Sequence, residues 1–367
     1  MDLSKAFDTL PKDLLLAKLY AYGLREHSLL LIQSYLSERQ QKVKLKGRFS
    51  EWGDLNLGVP QGSILGPILF NIFINDIFYN ITEGSLCNFA DDNTISVCAD
   101  NTDHLLQLIA TNTNICIKWF KDNDMTANPS KFQAITIGSK TAHIEDFNID
   151  TDFSISVDKN VILLGVEIDR NLKFDRHINK ICKKAAKQLN SLKRLSQFMG
   201  HKEKKTLVNS FILCHFNYCP LVWMLCSKGS QHKLEKIHER ALRLANSDYT
   251  SSYEVLLANS KETTVHVHSI RLLALEIYKS FNNLNPPFMK DYFLEKPHSY
   301  DLRVAKPLMV PKVRTTNYGI KSLNFQGPKL WNSLPATIKS AKNCDQFKYL
   351  TKAWFLKNTC SCSFCKL

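Results

Sequence analysis

Asn88-Phe89-Ala90-Asp91-Asp92-Asn93-Thr94-Ile95-Ser96-Val97 sets two adjacent carboxylates between short apolar runs. Residues 86–90 and 94–97 read as β-strands meeting at Asp91-Asp92-Asn93, because acidic and amide residues tolerate a tight turn while apolar neighbours hold a ladder. Like charges this close repel unless a cation or positive group lies between them. A solvated Asp-Asp turn is the commonplace alternative. The apolar flanks instead put the pair on strands that read as buried.

Outward from this hairpin, residues 14–36 read as two helices parted near Gly23, and 41–46 with the stretch ending at 57 as a pair of strands. Residues 62–80 form an apolar helix; Gly66-Pro67, Asn71, Asn75 and Asp76 argue for a buried soluble helix and against a membrane span. A helix over 103–120, a loop at Asn128-Pro129, a strand over 132–137 and another over 161–168 follow. After Phe174 the pattern turns to long amphipathic helices at 175–198, 202–213 and 230–246, with further helical signals at 265–282 and 335–356.

A chain of 367 residues with 44% hydrophobic residues can bury a sizeable core and reads as two or three domains. Its net charge of +14 is unevenly spread. Residues 1–169 hold 14 Lys/Arg against 22 Asp/Glu, 170–245 hold 17 against 4, and 246–367 hold 17 against 8. An acidic first part followed by a basic middle suits metal binding in one place and a grip on a polyanion in another; a solvated basic helical face is the alternative. The 11 cysteines lack the spacing of a disulfide framework and the first residues lack an apolar signal core. Reduced thiols in an intracellular protein of the cytoplasm or nucleus, not a secreted one, are therefore expected. Cys360, Cys362 and Cys365, with Cys344 as a distant fourth, are too crowded for a structural zinc site and read as a disordered tail.

A third acid, Asp2, stands in Asp2-Leu3-Ser4-Lys5-Ala6-Phe7-Asp8. Two Mg²⁺ ions held by carboxylates from separate strands can activate a hydroxyl for attack on a phosphate, and such hard ions require oxygen ligands. Together, Asp2-Leu3-Ser4-Lys5-Ala6-Phe7-Asp8, Gly58-Val59-Pro60-Gln61-Gly62-Ser63-Ile64-Leu65-Gly66-Pro67 and Phe89-Ala90-Asp91-Asp92 resemble motifs A, B and C of LINE-type (non-LTR retrotransposon) reverse transcriptases, in order and at plausible spacing.

The resemblance implies an α/β (α+β) right-hand polymerase palm with an antiparallel sheet over residues 1–170, an all-α basic thumb over 171–246 and a mostly helical C-terminal region over 247–367. It implies an RNA-directed DNA polymerase acting on an RNA template, a DNA primer and dNTPs, with two Mg²⁺ ions or, in their place, Mn²⁺. Asp2, Asp91 and Asp92 would be the metal triad, with the Leu3 carbonyl as an extra ligand. Phe7 matches the ring that rejects a ribose 2′-hydroxyl, a core phenylalanine being the alternative; Gln61 matches an amide beside nucleotide and template, and Gly62 lets the backbone approach. Lys131 matches a lysine proposed as general acid for pyrophosphate, although a lone Lys after a turn is more often solvated. Gly165, in Leu163-Leu164-Gly165-Val166-Glu167-Ile168, matches the primer-grip strand.

Lys180, Lys183, Lys184, Lys187, Lys193 and Arg194, then Lys202, Lys204 and Lys205, would neutralise duplex phosphates in the thumb. Residues 211–225, with Tyr218 and Trp223, read as core. Members of the family carry a fingers region ahead of motif A; only Met1 precedes Asp2 here, so the chain reads as N-terminally truncated. A strand short of ladder bonds at Asp2 is expected to fray, which opens a second reading: a catalytically inactive remnant that still binds nucleic acid.

Overall fold

The computed structural model describes residues 1, 3–138, 144, 146–150, 153–297 and 307–357. They fall into two compact units, Met1–Val161 and Ile162–Leu367.

The first unit is mixed helix and strand. Lys12–Ala21 and Glu26–Leu36 are the two expected helices, and Gly23 between them takes φ +102°, open to glycine at little cost. Next, Arg39–Gln41 pairs antiparallel with Gly53–Leu55, and within that loop Lys44–Leu45 pairs with Arg48–Phe49. The apolar helix runs over Leu65–Ile74 and tightens into a 3-10 turn at Asn75–Asn80. It is buried on one side only: Phe70 and Phe73 are inaccessible, whereas Ile64 is 88% exposed and Asn71 and Asn75 face solvent. The Thr102–Asp122 helix starts at Asn101, whose side chain accepts from the His104 amide. One apolar core unites these elements through Leu15, Leu19, Leu36, Phe70, Phe73, Trp119 and Phe120.

Two strand expectations are corrected. Residues 132–137 form no strand; Ala134 makes an isolated parallel bridge to Val157, and Phe132 shares a small apolar cluster with Phe147 and Ile155. The run 161–168 is a hairpin, Asn160–Leu163 against Val166–Asp169, turned at Leu164 (φ +46°) and Gly165 (φ +82°). Branched residues favour extended backbone, but Gly165 allows the reversal that propensity alone misses. A continuous antiparallel sheet is likewise absent among the described residues, whose named strands form five two-stranded sheets.

The second unit is helical after its hairpin. Asp175–Leu195, His201–Val208 and Lys228–Asn246 enclose a core that includes Ile178, Ala185, Leu189, Ile212, Trp223, Leu234 and Ala241. Tyr253–Ser260 and Val265–Phe281 follow. A further core joins Val265–Phe281 to Leu323–Ser333 and Cys344–Lys357, with Tyr278 stacked on Phe347 at 4.4 Å between centroids. The helix expected over 335–356 is broken into Ala336–Lys339 and Cys344–Lys357. Cys360, Cys362 and Cys365 lie outside the described residues. Among the described residues, no helix is long and apolar enough to cross a membrane.

Candidate active site

The acidic hairpin is Ser85–Phe89 against Asp92–Ser96, closed by Ala90 and Asp91 with Phe89 opposite Asp92. Its turn is thus one residue earlier than expected, and Asp92 already lies on the second strand. Leu86, Asn93 and the partly buried Ile95 face the core, so Cys87, Phe89 (65% exposed) and Asp92 point to solvent. The strands are therefore half-buried rather than buried, and Asp91 is half-buried at the tip.

Ala90 holds φ +53°, a left-handed conformation that costs a non-glycine residue about 1 kcal/mol. Asn93 buttresses this turn. Its side chain is 1% exposed, and Nδ2 donates to the Asp91 carbonyl at 2.9 Å. Asn88 lies opposite Asn93 in the ladder, and Asn88 Nδ2, Asn88 Oδ1 and Asn93 Oδ1 are buried polar atoms with no hydrogen-bond partner among the described residues. Asn112, 2% exposed on the long helix, donates to the Glu83 carbonyl at 2.6 Å and so ties the approach to the hairpin to that helix.

The segment that bears the first motif is held on two sides. Met1 N donates to Asn93 O at 2.6 Å and Asn93 N donates to Met1 O at 3.0 Å. Leu3 bridges Ala127 antiparallel, and Ser4 N donates to Thr126 O at 2.9 Å. Asp2 lies outside the described residues; around it the segment forms no strand, only the Met1–Asn93 pair and the isolated Leu3–Ala127 bridge. Leu3 is 3% exposed.

The first and second motifs are packed against each other. Val59 N donates to Phe7 O at 2.9 Å, and Gly58 N to Leu10 O at 2.8 Å. A Cβ on Gly58, at φ +78°, would lie 2.6 Å from Asp8 O and 2.7 Å from Phe7 O, so only glycine permits this approach. Phe7 stacks on Phe70 at 4.4 Å and is half-buried against the core. Gln61 Nε2 donates to Asp8 Oδ1 at 2.7 Å on the surface. Gly62 has φ +82° with nothing within 4 Å of a built Cβ, so its role is conformational. Ser63 Oγ accepts from Gly66 N and donates to Pro60 O, closing the turn before the helix.

Sequence reading missed three cations that position this frame. Arg39 Nη1 donates to Gly58 O at 2.8 Å, and Lys12 Nζ to Leu55 O at 2.6 Å, fixing the strand that enters the second motif. Lys18 Nζ bonds Asp76 and the Phe73 carbonyl, each at 2.9 Å, beneath the Phe73 and Trp119 rings. Burial lowers the Lys18 pKa, with Asp76 opposing the shift. A lysine at an apolar spacing in a helix was the available signal.

Lys131 ends the Pro129–Lys131 turn and is exposed. In the second unit, Gly165 sits at a hairpin turn whose Leu164 carbonyl accepts from Tyr218 Oη at 2.5 Å. Asp169 accepts from the Asn171, Lys173 and Phe174 amides and Glu167 pairs with Arg176 at 2.8 Å, docking the hairpin on the start of the basic helix. Lys180, Lys183, Lys184, Lys187 and Arg194 are all exposed and share one helix face, about 100° wide, opposite Ile178, Ala185 and Leu189. Lys193 falls off that stripe and lies 5.8 Å from the Tyr249 ring centroid, while Lys204 is drawn to Ser247 Oγ at 2.9 Å. Of the segment 211–225, Ile212, Phe216 and Trp223 are buried, but Phe211 and Tyr218 are about half-exposed.

Two adjacent carboxylates offer oxygen donors of the kind Mg²⁺ takes. Among the described residues no group of three or more His, Cys, Asp or Glu side chains is arranged to hold a metal ion, and the third expected acid, Asp2, is outside them.

Residues 1–168 match the family described as reverse transcriptase (RNA-dependent DNA polymerase). The chain is 24% identical over 268 residues to a probable RNA-directed DNA polymerase from transposon BS of Drosophila melanogaster, covering 66% of this chain and 28% of that protein. It is 30% identical over 193 residues to the RNA-directed DNA polymerase from mobile element jockey of Drosophila funebris, covering 49% and 20% respectively. A Pol polyprotein from the type-1 retrotransposable element R1 2 of Nasonia vitripennis is 25% identical over 177 residues, covering 45% and 43%. The chain thus spans less than half the length of each of these relatives.

Proposed function

Because residues 1–168 belong to the reverse transcriptase family, with relatives in LINE-type (non-LTR) retrotransposons, we propose that this chain carries the polymerase centre of an RNA-directed DNA polymerase. The observation that supports this most is the two-way backbone pairing of Met1 with Asn93, which brings the first motif's backbone alongside the strand that bears Asp92.

In this reading Asp2, Asp91 and Asp92, with the Leu3 carbonyl, hold two Mg²⁺ ions, and Mn²⁺ can replace them. The ions supply Lewis acidity toward a primer 3′-hydroxyl and the departing pyrophosphate. The chain's own residues position the reactants. Phe7, braced by Phe70, excludes a ribose 2′-hydroxyl; Gln61, held by Asp8, and Gly62 border the nucleotide and template. Lys131 protonates the pyrophosphate. The Gly165 turn supports the primer end, and Lys183, Lys184, Lys187, Lys193 and Arg194 grip phosphates of the template-primer duplex, with a palm over residues 1–170 and a thumb over 171–246.

The test is primer extension with dNTPs and Mg²⁺ on an RNA template. Extension by the chain, abolished by Asp91→Asn, supports the polymerase. Salt-sensitive nucleic-acid binding without extension, under Mg²⁺ and Mn²⁺ alike, overturns it in favour of a remnant that binds but does no chemistry.

A further inference from the structure

Residues 39–48 carry Arg39, Lys42, Lys44, Lys46 and Arg48 and no acid, inside a first half that is otherwise strongly acidic. They belong to the nested pair of two-stranded sheets between the first and second motifs. Lys44 lies opposite Phe49 in the ladder, so the two share a face. On that face the Lys42 ammonium sits 4.4 Å from the Phe49 centroid and 4.5 Å from that of Trp52, and Lys44 is 5.3 Å from Phe49. Phe49 is 55% exposed and Trp52 59%. A surface lysine ordinarily extends into water; here it is drawn between two rings that keep more than half their area open. The acids nearest in sequence are Glu38, Glu51 and Asp54, and Asp54 is engaged by Gln40 Nε2 at 2.7 Å.

We propose that the Lys42/Lys44/Phe49/Trp52 face of this hairpin binds single-stranded nucleic acid. Bases stack on the exposed rings and phosphates are met by Lys42, Lys44 and the neighbouring Lys46 and Arg48. Every base offers a π face, so aromatic platforms fringed by cations hold single strands without reading sequence. A duplex keeps its bases stacked on one another and cannot use such a platform. A protein segment seated there would have to strip water from several lysines, whereas a polyanion compensates them. The choice of a polynucleotide as occupant rests on the polymerase reading. The site itself is distinct from the acidic hairpin and from the basic helix.

The full chain is titrated by fluorescence anisotropy with labelled U-rich RNA and oligo-dT of about a dozen nucleotides, within the roughly 4–16-nucleotide footprint of such sites. An RNA–DNA duplex is the third probe, and 4-thiouridine crosslinks are mapped to peptides. Trp52→Ala weakens single-strand affinity about tenfold, Trp52→Phe restores most of it, and duplex affinity is unchanged. Lys42→Ala with Lys44→Ala lowers the slope of log affinity against log salt by about 1.4 for single strands. The crosslink falls in the peptide bearing Phe49 and Trp52. All four positions lie outside the apolar core, and an unchanged thermal midpoint checks that the variants fold. Loss for RNA alone, or for both RNA and DNA, supports the site and tells which strand it prefers. If these variants bind single strands as the parent does while Lys183→Ala with Lys187→Ala weakens binding, the hairpin proposal is overturned and the polymerase reading stands. A chain that binds no nucleic acid overturns both.

Discussion

Asn93 and Met1 exchange both backbone hydrogen bonds, at 2.6 and 3.0 Å, while the Asn93 side chain reaches the Asp91 carbonyl. One residue therefore joins the first motif's segment to the acidic turn. Asn93→Ala keeps the backbone pair and removes the side-chain bond. It is expected to lower stability by about 1 kcal/mol, seen as a lower denaturation midpoint, and to reduce primer extension far more than that loss explains. Extension equal to the parent's would show that the turn does not depend on this amide.

Gly58 and Gly62 both sit at positive φ, but only Gly58 faces a wall. Gly58→Ala puts a methyl against the Phe7 and Asp8 carbonyls and is expected to cost about 3 kcal/mol. Gly62→Ala meets open space and should cost only about 1 kcal/mol. Urea unfolding of the two variants side by side distinguishes them; equal losses would contradict the packing of the two motifs.

Lys18 is a cation whose side chain is 11% exposed, compensated by Asp76 and two aromatic rings. Asp76→Asn leaves it uncompensated, and a loss of about 2 kcal/mol is expected, moderated because Asp76 is itself partly solvated. Lys18→Met, which fills similar volume without charge, should be better tolerated. The folded pKa of Lys18 is lowered by burial, so the folded state binds its proton less tightly than the unfolded state. Stability of the Asp76→Asn variant should accordingly recover as pH rises toward the ordinary lysine value, about 10.4.

His238 is 5% exposed, and its Nδ1 lies 2.7 Å from Tyr253 Oη. The Tyr253 hydroxyl donates to Glu235 Oε2 at 2.6 Å, so the neutral imidazole donates from Nδ1 to the tyrosine oxygen. Burial, with His268 adding to it, pushes the His238 pKa down from 6.5 to about 4. The unfolded chain then binds a proton that the folded chain refuses across that interval. Stability should be full above pH 6.5 and fall toward pH 4 by up to about 1.4 kcal/mol per pH unit. The thermal midpoint followed over that range should show this slope, and His238→Gln should flatten it.

Helices with a clean apolar stripe were legible at once, because the 3.6-residue period survives wherever one face is buried. Asp175–Leu195 and Thr102–Asp122 appear nearly where the spacing puts them. Strands were less so. The turn at Leu164-Gly165 hides within a branched run, and 132–137 has strand composition yet forms only an isolated bridge at Ala134 among the described residues, since pairing is decided by distant chain. The three motifs were legible as letters, but what joins them was not: neither Asn93 nor Arg39 has a sequence pattern that reports a bond to Met1 or to Gly58. The basic hairpin vanished for another reason, since summing charge over 169 residues averaged five cations into an acidic whole.

The methyl group of Ala90 has one more effect. Glycine would reach φ +53° freely, yet it would also visit many other shapes that swing the two following aspartates about. Alanine has fewer ways out of the turn once the strands have closed. A tip that is slightly uncomfortable but short of alternatives keeps its carboxylates aimed one way between encounters, so Ala90→Gly should yield a sturdier protein with a more wayward acidic tip.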